Sequence, residues 1–130
     1  MPSGQQITWG SWSALDVATG HILWQTADPT TGATDTGSVS VANDVMYAGS
    51  NSGQMYALDT RTGRILWNFA SGGSVIDGPS IVDGTLYWGS GYRNIPPGIG
   101  NNKVYAFTLA GEKNGAEDSD DHSGGQGKLD

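Results

Sequence analysis

The strongest constraint on the fold of this chain is a sentence it uses twice. Ala14 to Trp24 read ALDVATGHILW and Ala57 to Trp67 read ALDTRTGRILW, identical at eight of eleven positions and 43 residues apart. Each copy reads as strand, turn and strand. A unit this small cannot bury a Trp alone, whereas stacking on the next copy can, which is the logic of repeat architectures with periods of 20–50 residues.

Each position in the sentence has a physical use. Ala14 and Ala57, at strand ends, let a neighbouring unit approach closely. Asp16 and Asp59 can accept hydrogen bonds from backbone amides of the turn, reinforced by Thr19 and Thr62. Gly20 and Gly63 suit a corner with positive φ that other residues resist. The Ile-Leu pair re-enters a strand, and Trp24 or Trp67 presents the largest apolar surface available.

The rest of the chain fits around these copies. Residues 37–70 read as a four-stranded antiparallel meander: GSVSVA, a turn at Asn43-Asp44, VMYAGS, a turn at 51–53, QMYALD, then the Thr60–Gly63 turn and RILWNFA. GPSIVDGTLYWGS at 78–90 repeats the start of that unit, with Asp83-Gly84 as its hairpin turn. A long loop, GYRNIPPGIGNN at 91–102, then leads to KVYAFTL, in which Ala106 aligns with Ala57. Upstream, 6–16 and 21–27 supply the last two strands of a unit. About nine strands are predicted, as two, four and three. Composition agrees: 21 Gly, with abundant Thr, Ser, Tyr, Trp and Val and few Glu and Lys, suit short strands and tight turns in an all-β protein. Four strands per period of about 43 residues predict β-propeller blades.

Both copies match the tryptophan-docking motif, Ala-x-Asp-x-x-Thr-Gly-x-x-x-Trp, and through it the chain resembles the pyrroloquinoline quinone (PQQ) repeat family. YAGSNSGQMYALDTRTGRILWNF looks like one of its standard blades. The run from Trp9 to Leu109 is similar to the C-terminal blades of quinoprotein alcohol dehydrogenases, and most closely to polyvinyl alcohol dehydrogenase. The resemblance implies an eight-bladed propeller in which each motif Trp stacks over the Gly-containing turn of an adjacent motif, so that Trp24 would pack on the turn at Gly63. It also implies PQQ and Ca²⁺ near the axis on one face, and a periplasmic or secreted location. The third copy departs from the pattern, since Phe107, Thr108 and Leu109 follow Ala106 without Asp-x-x-Thr-Gly or Trp.

Blade packing explains Trp24 and Trp67 without a ligand, so function is sought in the loops. Segments 28–37, 51–53, 71–78 and 91–102 are expected on one propeller face, where they offer Asp35, Thr36, Asn51, Asp77, Tyr92, Arg93 and Asn94. Thr36 and Asp77, at the entries to innermost strands, are the candidates to face a quinone. Arg93 could pair with quinone carboxylates as a planar donor fork, or lie on the surface of a loop stiffened by Pro96-Pro97. His21 stands where Arg64 stands in the second copy, which predicts an exposed, replaceable position. No metal ligands are assigned: EDSDDHS lacks the register of a calcium loop.

The formal charge of −7 divides unevenly, with −4 on residues 111–130 and only −3 on the rest. The body has four Lys or Arg and no basic cluster, so a nucleic-acid footprint is absent. There is no cysteine. No apolar run is long enough to span a membrane, and MPSGQQITWG lacks the charged and apolar regions of a signal peptide. Residues 1–110 are read as a partial propeller and 111–130 as a disordered polar, acidic tail.

About two and a quarter blades of an expected eight cannot gather the ligands of PQQ, Ca²⁺ and a catalytic carboxylate around an axis. The expectation is therefore a fragment of a PQQ-dependent alcohol dehydrogenase propeller, inactive alone and binding neither cofactor by itself. Its partners would be the remaining blades, or further copies joined through open blade edges. The alternatives are a cofactor-free PQQ-repeat scaffold, similar to the propeller lipoproteins of outer-membrane assembly, and a small self-assembling β protein.

Overall fold

The computed structural model describes residues 1–96 and 98–108; the tail predicted for 111–130 lies outside the described residues. Nine strands form three antiparallel sheets. The first blade holds β1 (Ser11–Leu15) and β2 (Ile22–Ala27). The second holds β3 (Ser40–Ala42), β4 (Val45–Gly49), β5 (Gln54–Asp59) and β6 (Ile65–Ala70). The third holds β7 (Ser80–Val82), β8 (Thr85–Ser90) and β9 (Lys103–Thr108). The split into two, four and three strands is the predicted one, in meander order. No described helix is long and apolar enough to cross a membrane.

The turns explain the meander. Asn43 and Asp44 have φ of 51° and 60°, and Asp83 and Gly84 have 46° and 76°, the two left-handed central residues of a type I′ hairpin. In the repeated motif Asp16 Oδ1 accepts from the amides of Ala18 and Thr19 and from the Thr19 hydroxyl, and Asp59 Oδ1 accepts from the amides of Arg61 and Thr62. These bonds to the ionised form hold both carboxyls below the usual carboxylate range. Gly20 and Gly63 then donate back to the carbonyls of Asp16 and Asp59.

Both copies carry the same irregularity, a register shift between Ala and Leu, which places Ala14 across from Trp24 and Ala57 across from Trp67. The small residue leaves its cross-strand neighbour room to lay an indole on the sheet. This adds an intra-blade reason for Ala to its expected role between units.

The core lies between blades, in two layers. Trp12 and Trp24 of the first blade meet Met46, Ala48, Tyr56 and Leu58 of the second. Met55 of the second blade and Val75 of the loop after it meet Leu86 and Trp88 of the third, flanked by Tyr47, Phe69, Tyr105 and Phe107. Strand β5 sends Tyr56 and Leu58 to one layer and Met55 to the other, so Met55–Leu58 are buried without interruption.

Two expected boundaries move. The first strand starts at Ser11 rather than near residue 6, because Gly10 donates its amide to Ala33 and the Trp9 indole donates to the Asp28 carbonyl. The inner strand of the second blade starts at Ser40 rather than Gly37, because the preceding residues bond to the next blade: the Gly78 amide donates to Ser38 Oγ, and Ser40 Oγ donates to the Pro79 carbonyl. Pairing of Ser40 with Tyr47 and of Ser80 with Tyr87 puts Ser40 and Ser80 in equivalent places, one residue off the alignment of Gly37 with Gly78.

Candidate functional site

The four predicted loops do share one face, and hydrogen bonds join them in series. Asn51 donates its amide to the Thr34 carbonyl and accepts the Thr34 amide on Oδ1, tying 28–37 to 51–53. Ser71 and Ser74 tie 71–78 to the same turn through the carbonyls of Gly53 and Asn51. The long 91–102 loop is bound in turn to 71–78: Ser74 donates to the Ile99 carbonyl, Ile99 donates to Ser74 Oγ, and Asn101 Nδ2 donates to the Ser71 carbonyl.

The predicted site residues are placed differently from one another on this face. Gly37 lies so close to the Ile76 carbonyl that a Cβ there would stand 2.7 Å from its carbon, which brings the exposed Thr36 and Asp77 to neighbouring strand entries. Asp77 lines an open groove of about 450 Å³ with Ser74, Ile76, Gly89, Ser90, Gly91 and Tyr92. Partial desolvation there raises its carboxyl above the usual range. Arg93 does not join them: its side chain folds back over Gly100 of its own loop, and its backbone lies on Gly98. Asn94 is exposed on the same loop. His21 is exposed, as is Arg64 in the equivalent place.

The groove can be tested against PQQ, a flat tricarboxylate that needs cationic or N–H donors, and against the Ca²⁺ beside it. It presents the Asp77 carboxylate and three hydroxyls, with no cation among its lining residues. Among the described residues no group of three or more His, Asp or Glu is disposed to hold a metal ion. These residues do not fit the cofactor pair.

A second polar cluster escaped the sequence reading of roles. Asp28, directly after β2, is 1% exposed, and its carboxyl neighbours that of Asp35. Asp28 Oδ1 accepts the Thr30 amide at 2.6 Å, whereas Asp28 Oδ2 and both oxygens of Asp35 are buried with no hydrogen-bond donor. Burial, with Asp28 alongside, pushes the Asp35 carboxyl up to about 8. Burial and the Asp28 charge push the Tyr56 phenol up to about 12. The signal for Asp35 was in the repeat. With Ser40 equivalent to Ser80, Asp35 is equivalent to Val75, so blade packing alone is satisfied by an apolar residue there.

Residues 10–114 match the PQQ-repeat family model described as outer membrane protein assembly factor BamB. Among solved structures, BamB from Moraxella catarrhalis is 27% identical, with a TM-score of 0.54 over 62% of this chain and 25% of that one. A europium-containing methanol dehydrogenase is 20% identical, with a TM-score of 0.60 over 76% of this chain and 19% of that one. A quinohemoprotein alcohol dehydrogenase from Comamonas testosteroni is 20% identical, with a TM-score of 0.53 over 64% of this chain and 14% of that one. The chain thus spans a quarter or less of the length of these structures. No curated protein matches it.

Proposed function

Since this chain belongs to the PQQ-repeat β-propeller family, we propose that it is a blade section of a quinoprotein alcohol dehydrogenase propeller, similar to polyvinyl alcohol dehydrogenase, and does not oxidise alcohols by itself. The observation that carries the structural half of this reading is the docking of Trp24 on Gly63. The motif residues are spent on joining blades, and the loop groove at Asp77 offers a carboxylate where a tricarboxylate quinone needs cations. In this reading the quinone, its Ca²⁺ and the carboxylate that takes the alcohol proton are held by other blades around the axis, in the periplasm or outside the cell. The enzymatic half rests on the resemblance of Trp9 to Leu109 to the last blades of these dehydrogenases.

A second reading, a cofactor-free scaffold that binds partners through its loops, is favoured by the family match and by the 27% identity to BamB. Titrating the chain with PQQ and Ca²⁺ while following Trp fluorescence tests the first reading. No binding and no dye reduction with alcohols are expected, and saturable binding by this chain would overturn the view that its site is incomplete. Blades encoded in frame beside this sequence separate the two readings. Loops with cations and carboxylates converging on an axis support the dehydrogenase, and apolar or uncharged axial loops support the scaffold.

A further inference from the structure

The Asp28–Asp35 pair sits where loop 28–37 is held from both sides. On the first blade, Gly10 donates its amide to the Ala33 carbonyl and receives the Asp28 amide on its own. The Asp35 carboxyl packs so tightly on Gly10 that a Cβ there would lie 2.6 Å from Asp35 Cγ. On the second blade, Asn51 holds Thr34 through backbone and side chain. Two carboxyls side by side in such a place cannot both be ionised without donors, and three of their four oxygens have none. A proton on Asp35 removes the repulsion and gives the pair a donor of its own.

We propose that the Asp35 carboxyl, set against Asp28, is a latch whose proton clamps loop 28–37 between the first two blades at mildly acid pH and whose loss loosens it as the pH rises through neutrality. The groups facing the pair from the packed elements are the Tyr56 phenol of β5 and the Ser50 hydroxyl after β4, with the Thr30 amide of the loop on Asp28. Of these only Tyr56 titrates, and it keeps its proton throughout this range. Asp35 is an acid whose folded value, about 8, is raised above its ordinary 3.8. The clamped state therefore binds the extra proton, and its advantage falls as pH rises from about 4 to about 8 and levels off above. This device is independent of any cofactor and holds for either functional reading.

Amide hydrogen exchange at Gly10, Thr34 and Asn51, corrected for the intrinsic pH dependence of exchange, tests the latch. Protection of these amides is expected to fall with pH between 5 and 8 by up to about tenfold per unit, while amides of the Asp59 turn show no such slope. Asp35→Asn, which keeps the size but cannot titrate, should abolish the slope. If that variant does not fold, Asp35→Val, which takes the residue found at the equivalent Val75, serves in its place. Flat wild-type protection over pH 5–8, or an undiminished slope in the variant that folds, overturns the proposal.

Discussion

The indole of Trp24 in the first blade lies flat against Gly63 in the second. A Cβ on Gly63 would stand 2.6 Å from Trp24 Cδ2 and 2.6 Å from Thr26 Oγ1. The contact is polar as well as apolar, since Trp24 Nε1 donates to the Thr60 carbonyl at 2.8 Å and Thr26 Oγ1 to the Gly63 carbonyl at 2.6 Å. One turn thus receives the edge and the face of a residue from the neighbouring sheet.

A matched pair of glycine substitutions separates docking from backbone preference. Gly20 and Gly63 occupy the same motif position with φ of 73° and 71°, but a Cβ on Gly20 meets nothing within 4 Å. Gly20→Ala should cost only the left-handed backbone penalty, about 1 kcal/mol. Gly63→Ala adds the displacement of the indole, for about 3 kcal/mol in total. Urea unfolding of the two variants checks the difference, and equal losses would show that the docked Trp24 contributes nothing through this turn.

The two motif tryptophans should also differ. Trp24 is 8% exposed, whereas Trp67 is 36% exposed, with Phe69 parallel to it at 6.1 Å and Phe107 edge-on at 5.1 Å. Trp67 also lines a groove of about 530 Å³ with Leu66, Leu86 and Phe107. Trp24→Ala is expected to cost about 4 kcal/mol and Trp67→Ala about half of that. Denaturant midpoints read the costs, and the emission maximum of Trp67 should lie further to the red than that of Trp24.

What the sequence made legible follows from how local the cause was. The motif turn is built from residues within five positions of Asp16 or Asp59, so its hydrogen bonds could be read from spacing alone. Trp24 on Gly63 became readable because the motif occurs twice, which turned a distant contact into a comparison of copies. The start of β3 was misplaced because Ser38 and Ser40 answer to Gly78 and Pro79 of another blade, a demand no local pattern expresses. The site candidates suffered similarly. Arg93 was singled out for its charge, but Gly98 and Gly100 let its own loop fold beneath it. Asp35 passed as one loop carboxyl among several until the strand register made it the counterpart of a buried Val in the next unit.

The long loop gives a third test. Asn101 accepts from Ser90 Oγ at 2.7 Å and donates to the Ser71 carbonyl at 3.0 Å, and its amide group packs on Gly73. Removing it leaves the Ser71 carbonyl with only the Tyr105 hydroxyl as a side-chain donor. Asn101→Ala should cost about 2 kcal/mol, expressed locally as faster proteolytic cleavage within 91–102. Cleavage at the wild-type rate would show that the backbone bonds of Ser74 suffice to hold the loop.

The dependence of stability on pH should combine two opposite signs. Asp16 and Asp59 have lowered values through the amides of their turns, so the stability they contribute is present above their ordinary value of 3.8 and is lost as pH falls below it. Asp35 works the other way. Its value is raised to about 8, so its protonated form favours the folded chain at low pH, and that contribution declines as pH climbs from about 4 to 8. The denaturant midpoint should therefore rise as pH is lowered from 8, pass through a maximum between about 4 and 5, and fall in stronger acid. Two variants assign the limbs. Asp59→Asn keeps an acceptor in the turn without a titrating proton, so it should soften the acid limb alone. Asp35→Asn should flatten the neutral limb alone. A midpoint that climbs steadily from pH 4 to 8 would mean that the Asp35 carboxyl is ionised in the folded chain.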